Sequence, residues 1–115
     1  MQMPKATDAD KERFRSLVPD RPGIEVKPMF GNLGAFVTGN MFAGLFGSTI
    51  GVKLAAPDLT DLRAAGGRPF GPAERPMGGY LALPGELAER PEAAEPWLER
   101  ALDHVSTLPP KAKRR

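Results

Sequence analysis

Residues 26–54 read V-K-P-M-F-G-N-L-G-A-F-V-T-G-N-M-F-A-G-L-F-G-S-T-I-G-V-K-L, short apolar runs broken by glycine, and few folds accept such a stretch. Runs this short, rich in aromatic and β-branched residues and separated by turn-forming pairs, are strands joined by tight hairpins. Gly39-Asn40 and Gly47-Ser48 are the two connections, each with glycine first, the chemistry of a type II′ turn. Residues 34–38, 41–46 and 49–54 are therefore predicted to form an antiparallel meander. If both loops close at two residues, Val37 lies opposite Phe42, Phe36 opposite Ala43, Leu45 opposite Ile50 and Ala43 opposite Val52.

Side chains alternate along a strand, so this register sorts them into two faces. One carries Phe36, Met41, Ala43, Leu45, Ile50, Val52 and Leu54, an almost unbroken apolar surface that helices must cover. The other carries Ala35, Val37, Phe42, Gly44, Phe46, Thr49, Gly51 and Lys53. On that face Val37, Phe42 and Phe46 are expected to form an exposed apolar strip beside Lys53. Such a strip marks a surface for a partner protein or for a second copy of the chain.

The flanking segments supply the cover. Thr7 and Asp10 have the spacing of a capping box, and Phe14, Leu17 and Val18 share one helical face, which predicts a helix over residues 8–18, stopped by Pro19 and Pro22. Ile24–Met29 reads as a strand, placed at an edge or strand end because Pro28 has no N–H to donate. Residues 57–65 read as a helix ended by Gly66-Gly67, residues 68–79 as a Pro- and Gly-rich loop, residues 80–83 as a strand and residues 84–88 as a helical turn. Pro91 or Pro96 opens a last helix, in which Trp97, Leu98, Ala101, Leu102, Val105 and Leu108 recur at three and four residues. The architecture expected is two-layer α+β, an antiparallel sheet of about four or five strands around the 34–54 meander with helices mainly on one face. Residues 1–108 are expected to form one domain and residues 109–115 a flexible basic tail.

Charge and composition narrow the function. The 115 residues contain sixteen basic and fourteen acidic side chains, net +2, but Lys111, Lys113, Arg114 and Arg115 sit in the last five, leaving residues 1–110 at −2. The body thus lacks the charge of a dedicated duplex-binding domain, while the tail is a weak nucleic-acid candidate, with Arg68 and Arg75 as companions. There is no cysteine, which excludes disulfides, thiolate nucleophiles and zinc–thiolate sites. No secretory signal or membrane span is legible at the amino terminus or elsewhere, so a cytoplasmic protein is expected.

No chemistry-bearing constellation stands out. His104, the sole histidine, reads as a solvated or capping residue near a helix end. Glu86, Glu89, Glu92, Glu95, Glu99 and Asp103 read as a wetted helix face, and no metal site is expected. G-N-L-G at residues 31–34 lacks the Lys and Ser or Thr of a phosphate-binding loop and leads into a strand. Ser16, Ser48 and Ser106 have no nearby His-acid pattern. No catalytic residue, enzyme activity or cofactor is expected. A small-molecule pocket between the sheet and the 68–79 loop is a further reading.

Several segments together resemble one family. K-P-M-F-G at residues 27–31, M-F-A at 41–43, V-K-L at 52–54, A-G-G-R-P-F at 65–70, G-Y-L-A-L-P at 79–84 and P-W-L-E-R-A-L at 96–102 are similar, in this order, to the amino-terminal domain of the TfoX/Sxy competence regulators of bacteria. The resemblance implies a small α+β fold and a role in regulating natural competence, in transcriptional activation alongside a DNA-bound activator. Those regulators also carry a carboxy-terminal module resembling helix-hairpin-helix, which these residues do not include, so a stand-alone domain is expected to do part of the regulator's work. The function expected is a non-enzymatic interaction module whose partner is a protein of the transcription machinery, an activator or a second copy. The alternatives are direct nucleic-acid binding through the tail and small-molecule binding.

Overall fold

Helix α1 (Asp8–Leu17) begins where Thr7 and Asp10 satisfy each other. The Thr7 hydroxyl accepts from the Asp10 N–H at 3.1 Å, and the Asp10 carboxylate accepts from the Thr7 N–H at 3.0 Å. In this computed structural model, which describes residues 6–29, 32–71 and 78–109, the chain continues through β1 (Ile24–Met29), β2 (Asn32–Val37), β3 (Asn40–Phe46), β4 (Thr49–Lys53), α2 (Ala56–Ala64), β5 (Arg68–Pro69), β6 (Tyr80–Ala82), α3 (Gly85–Ala88) and α4 (Pro91–Ser106). The six strands form one antiparallel sheet in the order β1-β2-β3-β4-β6-β5. The additional strand is β5, two residues of the segment read as a loop.

Leu33, Ala35, Val37, Phe42, Ala43, Leu45, Ile50, Val52 and Leu81 make the inner face of the sheet, closed by Phe14 and Leu17 of α1, Leu62 of α2, Ala88 of α3 and the stripe Ala94, Leu98, Ala101, Leu102 and Val105 of α4. α4 lies across β2, β3 and β4. Each fully buried Leu or Val in that stripe contributes about 1.5–3 kcal/mol, so α4 is the principal lid of the core. Pro91 opens α4, and Pro96 sits inside it on the exposed side, where the carbonyl left without a donor can reach water. Both edge strands carry a proline, Pro28 in β1 and Pro69 in β5.

The β3–β4 hairpin is as read from the sequence: Leu45 faces Ile50, Ala43 faces Val52, and Phe46 pairs with Thr49 around Gly47-Ser48, of which only Gly47 has positive φ. The β2–β3 hairpin is not. Its turn is Thr38-Gly39, with φ of 49° and 83°, both left-handed as a type I′ turn requires, and Val37 pairs with Asn40. One bulge follows, since Phe36 faces Met41 but Ala35 faces Ala43, so Phe42 is the extra residue of β3.

The bulge reverses the expected faces on this side of the meander, since the earlier turn by itself moves each pairing by two residues and keeps the same side chains together. Ala35 and Val37 point inward and Phe36 outward. Phe42 is 0 % exposed in the core, and Met41 takes its place outside. The physical reason is a comparison of magnitudes: burying the Phe42 ring is worth about 1.5–3 kcal/mol, which offsets the cost of about 1–3 kcal/mol for a left-handed, β-branched Thr38. The Thr38 hydroxyl donates to the Val37 carbonyl at 2.7 Å and recovers part of that cost.

Two predictions follow from these local geometries. Thr38→Asn places a residue at ease in left-handed backbone in the I′ turn and is expected to raise the urea midpoint by the equivalent of about 1 kcal/mol with unchanged slope. A lower midpoint would show that the hydroxyl contact outweighs the backbone strain. The Thr7 backbone N–H, then its hydroxyl, holds the Asp10 carboxyl below its ordinary pKa. A depressed folded pKa contributes stability above the unfolded value of about 3.9 and loses it as pH falls through the folded value. The gap in melting temperature between the wild type and Asp10→Ala is therefore expected to be constant near neutrality and to narrow in acid.

Candidate functional site

The side of the sheet turned away from the helices is organised around small residues. Cross-strand pairing sets Lys27, Gly34, Gly44, Gly51, Ala82 and Arg68 in one row across all six strands, a cation at each end and a floor of glycine and alanine between. Glycine inside a strand weakens it unless another group approaches closely, and here Phe70 does. A Cβ built on Gly51 would lie 2.3 Å from Phe70 Cγ, and one on Gly44 would lie 3.4 Å from the same ring. Phe70 is 4 % exposed and fills the middle of the row.

The approach of Phe70 is set by the residues before it. Gly66, at φ 108°, takes the left-handed position after α2, and Gly67 lies so close to Leu62 that a Cβ would meet its Cγ at 2.7 Å. Arg68 and Pro69 then pair with β6, and alternation turns Phe70 to the outer face.

Phe46 meets Phe70 edge to face, centroids 6.2 Å apart at 73°, and Tyr80 stands on its other side at 6.2 Å and 33°. The Tyr80 hydroxyl donates to the Met41 carbonyl at 2.8 Å, and burial pushes its pKa up, so it stays protonated as a donor. Lys53 Nζ sits 5.5 Å from the Tyr80 centroid, and Lys27 Nζ sits 5.4 Å from the Phe36 centroid and 3.4 Å from Glu25 Oε1. Phe36, Met41, Phe46, Lys53 and Tyr80 are each half-buried. At the Arg68 end a notch of about 340 Å³ is lined by Thr49, Arg68, Pro69 and residues 82–85.

Of the residues singled out as a partner surface, the structure brings Phe46 and Lys53 to this face, two positions linked by the intact Gly47-Ser48 turn. Val37 and Phe42 are corrected: both are core, because the extra residue at Phe42 sets Ala35 opposite Ala43 and so turns Ala35, Val37 and Phe42 together to the helix side. Phe70, Tyr80 and Met41 were missed. The available signal was the pair of interior glycines, Gly44 and Gly51, at matching positions in neighbouring strands. The tail candidates Lys111, Lys113, Arg114 and Arg115 lie outside the described residues, as does Arg75. The last described residue, Pro109, is tied through its carbonyl to Asn40 Nδ2 at 2.9 Å.

The other sequence features resolve into structural parts. Asn32, 3 % exposed, accepts from the Gly47 N–H at 2.8 Å and so braces the β3–β4 turn from the start of β2. His104 is half-buried in the last turn of α4, where its carbonyl accepts from Thr107. Glu99 and Asp103 both reach Arg21, and the Glu92 carboxyl is held below its ordinary range by its own backbone N–H and then by Arg90, with which it pairs. Among the described residues no three His, Asp or Glu side chains converge as metal ligands, and no helix is long and apolar enough to cross a membrane. A second cleft, of about 310 Å³, lies beside the end of α1, and its Arg21 is the one already engaged by Glu99 and Asp103.

A family model described as the TfoX N-terminal domain matches residues 8–105. No curated protein matches the chain.

The contact of Phe70 with Gly51 is testable by a double-mutant cycle. Gly51→Ala alone is expected to cost about 1–3 kcal/mol by overpacking. In a Phe70→Ala background the same change is expected to be neutral or slightly stabilising, because the clash is gone and strand glycine is itself unfavourable by roughly 0.5–1 kcal/mol. Additive effects in urea melts would mean that the ring does not bear on Gly51.

Proposed function

The chain belongs to the TfoX N-terminal domain family, and from that premise we propose that it is a non-catalytic regulatory module which docks another protein on the outer face of its sheet. At the family level this is a competence-related regulatory domain. The finer reading is a cytoplasmic bacterial protein that helps a transcriptional activator or the transcription machinery to switch on competence genes.

The observation that carries the docking reading is the asymmetry of the two faces. The inner one is closed by four helices, whereas the outer one keeps Phe36, Met41, Phe46 and Tyr80 half-exposed over a floor of glycine. Apolar groups gathered on one side of a small domain, bordered by Lys27, Lys53 and Arg68, have the anatomy of an interface centre with a polar rim. A non-catalytic role is supported by what the polar groups there do: the Tyr80 hydroxyl is committed to a carbonyl, and the lysines cover rings.

Phe46→Asp is the diagnostic change, because Phe46 is half-exposed and lies on the outer face. Phe42→Asp would test only the core. With the tagged protein expressed in its native cells, Phe46→Asp, verified as folded by circular dichroism, is expected to lose a partner that the wild type and a Glu95→Lys control on the exposed side of α4 retain. Equal recovery of the same partners by all three proteins would refute docking at this face.

A further inference from the structure

We infer that the partner segment received on this face is acidic: an extended stretch whose apolar side chain rests against Phe46 and Tyr80 and whose carboxylates meet Lys53 and Arg68. The inference rests on the docking reading above and specifies the chemistry of its occupant. Charge placement is the first argument. Residues 1–110 carry net −2 in sequence, yet among the described residues the strands set Lys27, Lys53 and Arg68 on the outer sheet face against Glu25. Most of the other described acidic side chains lie on the helices, along α4 and in the first turns of α1 and α2.

Among the described residues, two of these three cations meet no carboxylate. Lys27 is paired with Glu25, whereas Lys53 Nζ lies over the Tyr80 ring and the Arg68 side chain has neither hydrogen bond nor ion pair among the described residues. Arg21, Arg90 and Arg100, by contrast, each meet a carboxylate. Arg68 and Thr49 both line the 340 Å³ notch, which has room for one carboxylate side chain, with a guanidinium and a hydroxyl among its lining groups. Lys53 is on β4 and Arg68 on β5, with β6 between them, so the two cations stand about two strand spacings apart, roughly 10 Å, on either side of Tyr80 and Ala82.

Ring geometry separates an acidic peptide from a nucleic-acid strand, the other polyanion such a face could meet. Bases bind sheets by stacking on open aromatic faces. Here Phe36 and Tyr80 are capped by lysines, Phe46 is engaged edge to face, and Phe70 is buried. What remains are ring edges and methylene groups, which suit aliphatic side chains.

The test uses the full 115-residue chain and fluorescence anisotropy with three labelled probes: a short peptide alternating glutamate and leucine, its glutamine counterpart, and a single-stranded oligothymidine. The glutamate peptide is expected to bind, its glutamine counterpart to bind about tenfold more weakly, and Lys53→Glu with Arg68→Glu to weaken the former by about tenfold or more, whereas Arg63→Glu on α2 leaves it unchanged. Lys53→Gln with Arg68→Gln gives the same direction should the reversed charges impair folding. Binding is also expected to weaken as salt rises past physiological strength, where the Debye length is about 8 Å. No binding of the glutamate peptide, equal binding of both peptides, or indifference to the double variant would overturn the inference. So would a preference for oligothymidine lost in the same variant. Cellular capture distinguishes the two levels: if Phe46→Asp loses the partner while the charge variants keep it, docking stands and the acidic chemistry falls.

Discussion

The direction of one ring, Phe42, decides the character of both sides of the sheet. A bulge opposite Phe36 turns it inward, where it packs in the core with the α1 and α4 side chains, and leaves the thinner, flexible Met41 outside. Without that slip the inner face would lose its largest strand side chain and the outer face would gain an exposed ring beside Phe46. The cost is concentrated in one exposed residue, Thr38, held in left-handed backbone so that the hairpin can close one position early. A single strained turn is a small price for a core that is otherwise continuous from β2 to β6.

The outer side is finished by the chain itself. Gly44 and Gly51 form a bare floor, and the segment after α2 returns to lay Phe70 on it, flanked by Phe46 and Tyr80. Seen this way, much of what makes the family motifs recognisable is architectural. A-G-G-R-P-F ends a helix, passes close to Leu62, adds a strand and delivers the ring, and the tyrosine of G-Y-L-A-L-P supports that ring while its strand joins β4 to β5. Lys53 and Arg68 are different, since neither is needed to satisfy a buried group.

Features set by neighbours in sequence were legible. The Thr7 and Asp10 box, the edge position of the Pro28 strand, the Gly47-Ser48 turn with its register and the α4 stripe follow from local rules, and Phe46 and Lys53 fell on the correct face because only that intact turn lies between them. The β2–β3 hairpin was not legible, because two competing turns, Thr38-Gly39 and Gly39-Asn40, differ by one residue and the choice is made by remote helices that bury Phe42. Either turn alone leaves Val37 and Phe42 on one face; the extra residue at Phe42 puts β2 one step out of register with β3, which is why the two were misplaced together. Phe70 was read as part of a loop because a two-residue strand leaves no periodic trace, and its effect appears only as glycines in β3 and β4.

Proline closes both margins of this sheet. Pro28 in β1 and Pro69 in β5 each remove a donor from the row of backbone groups that a foreign strand would need for zippering alongside. Addition of a further strand at either margin is thereby disfavoured, which leaves the broad faces of the sheet as the surfaces less guarded against contact.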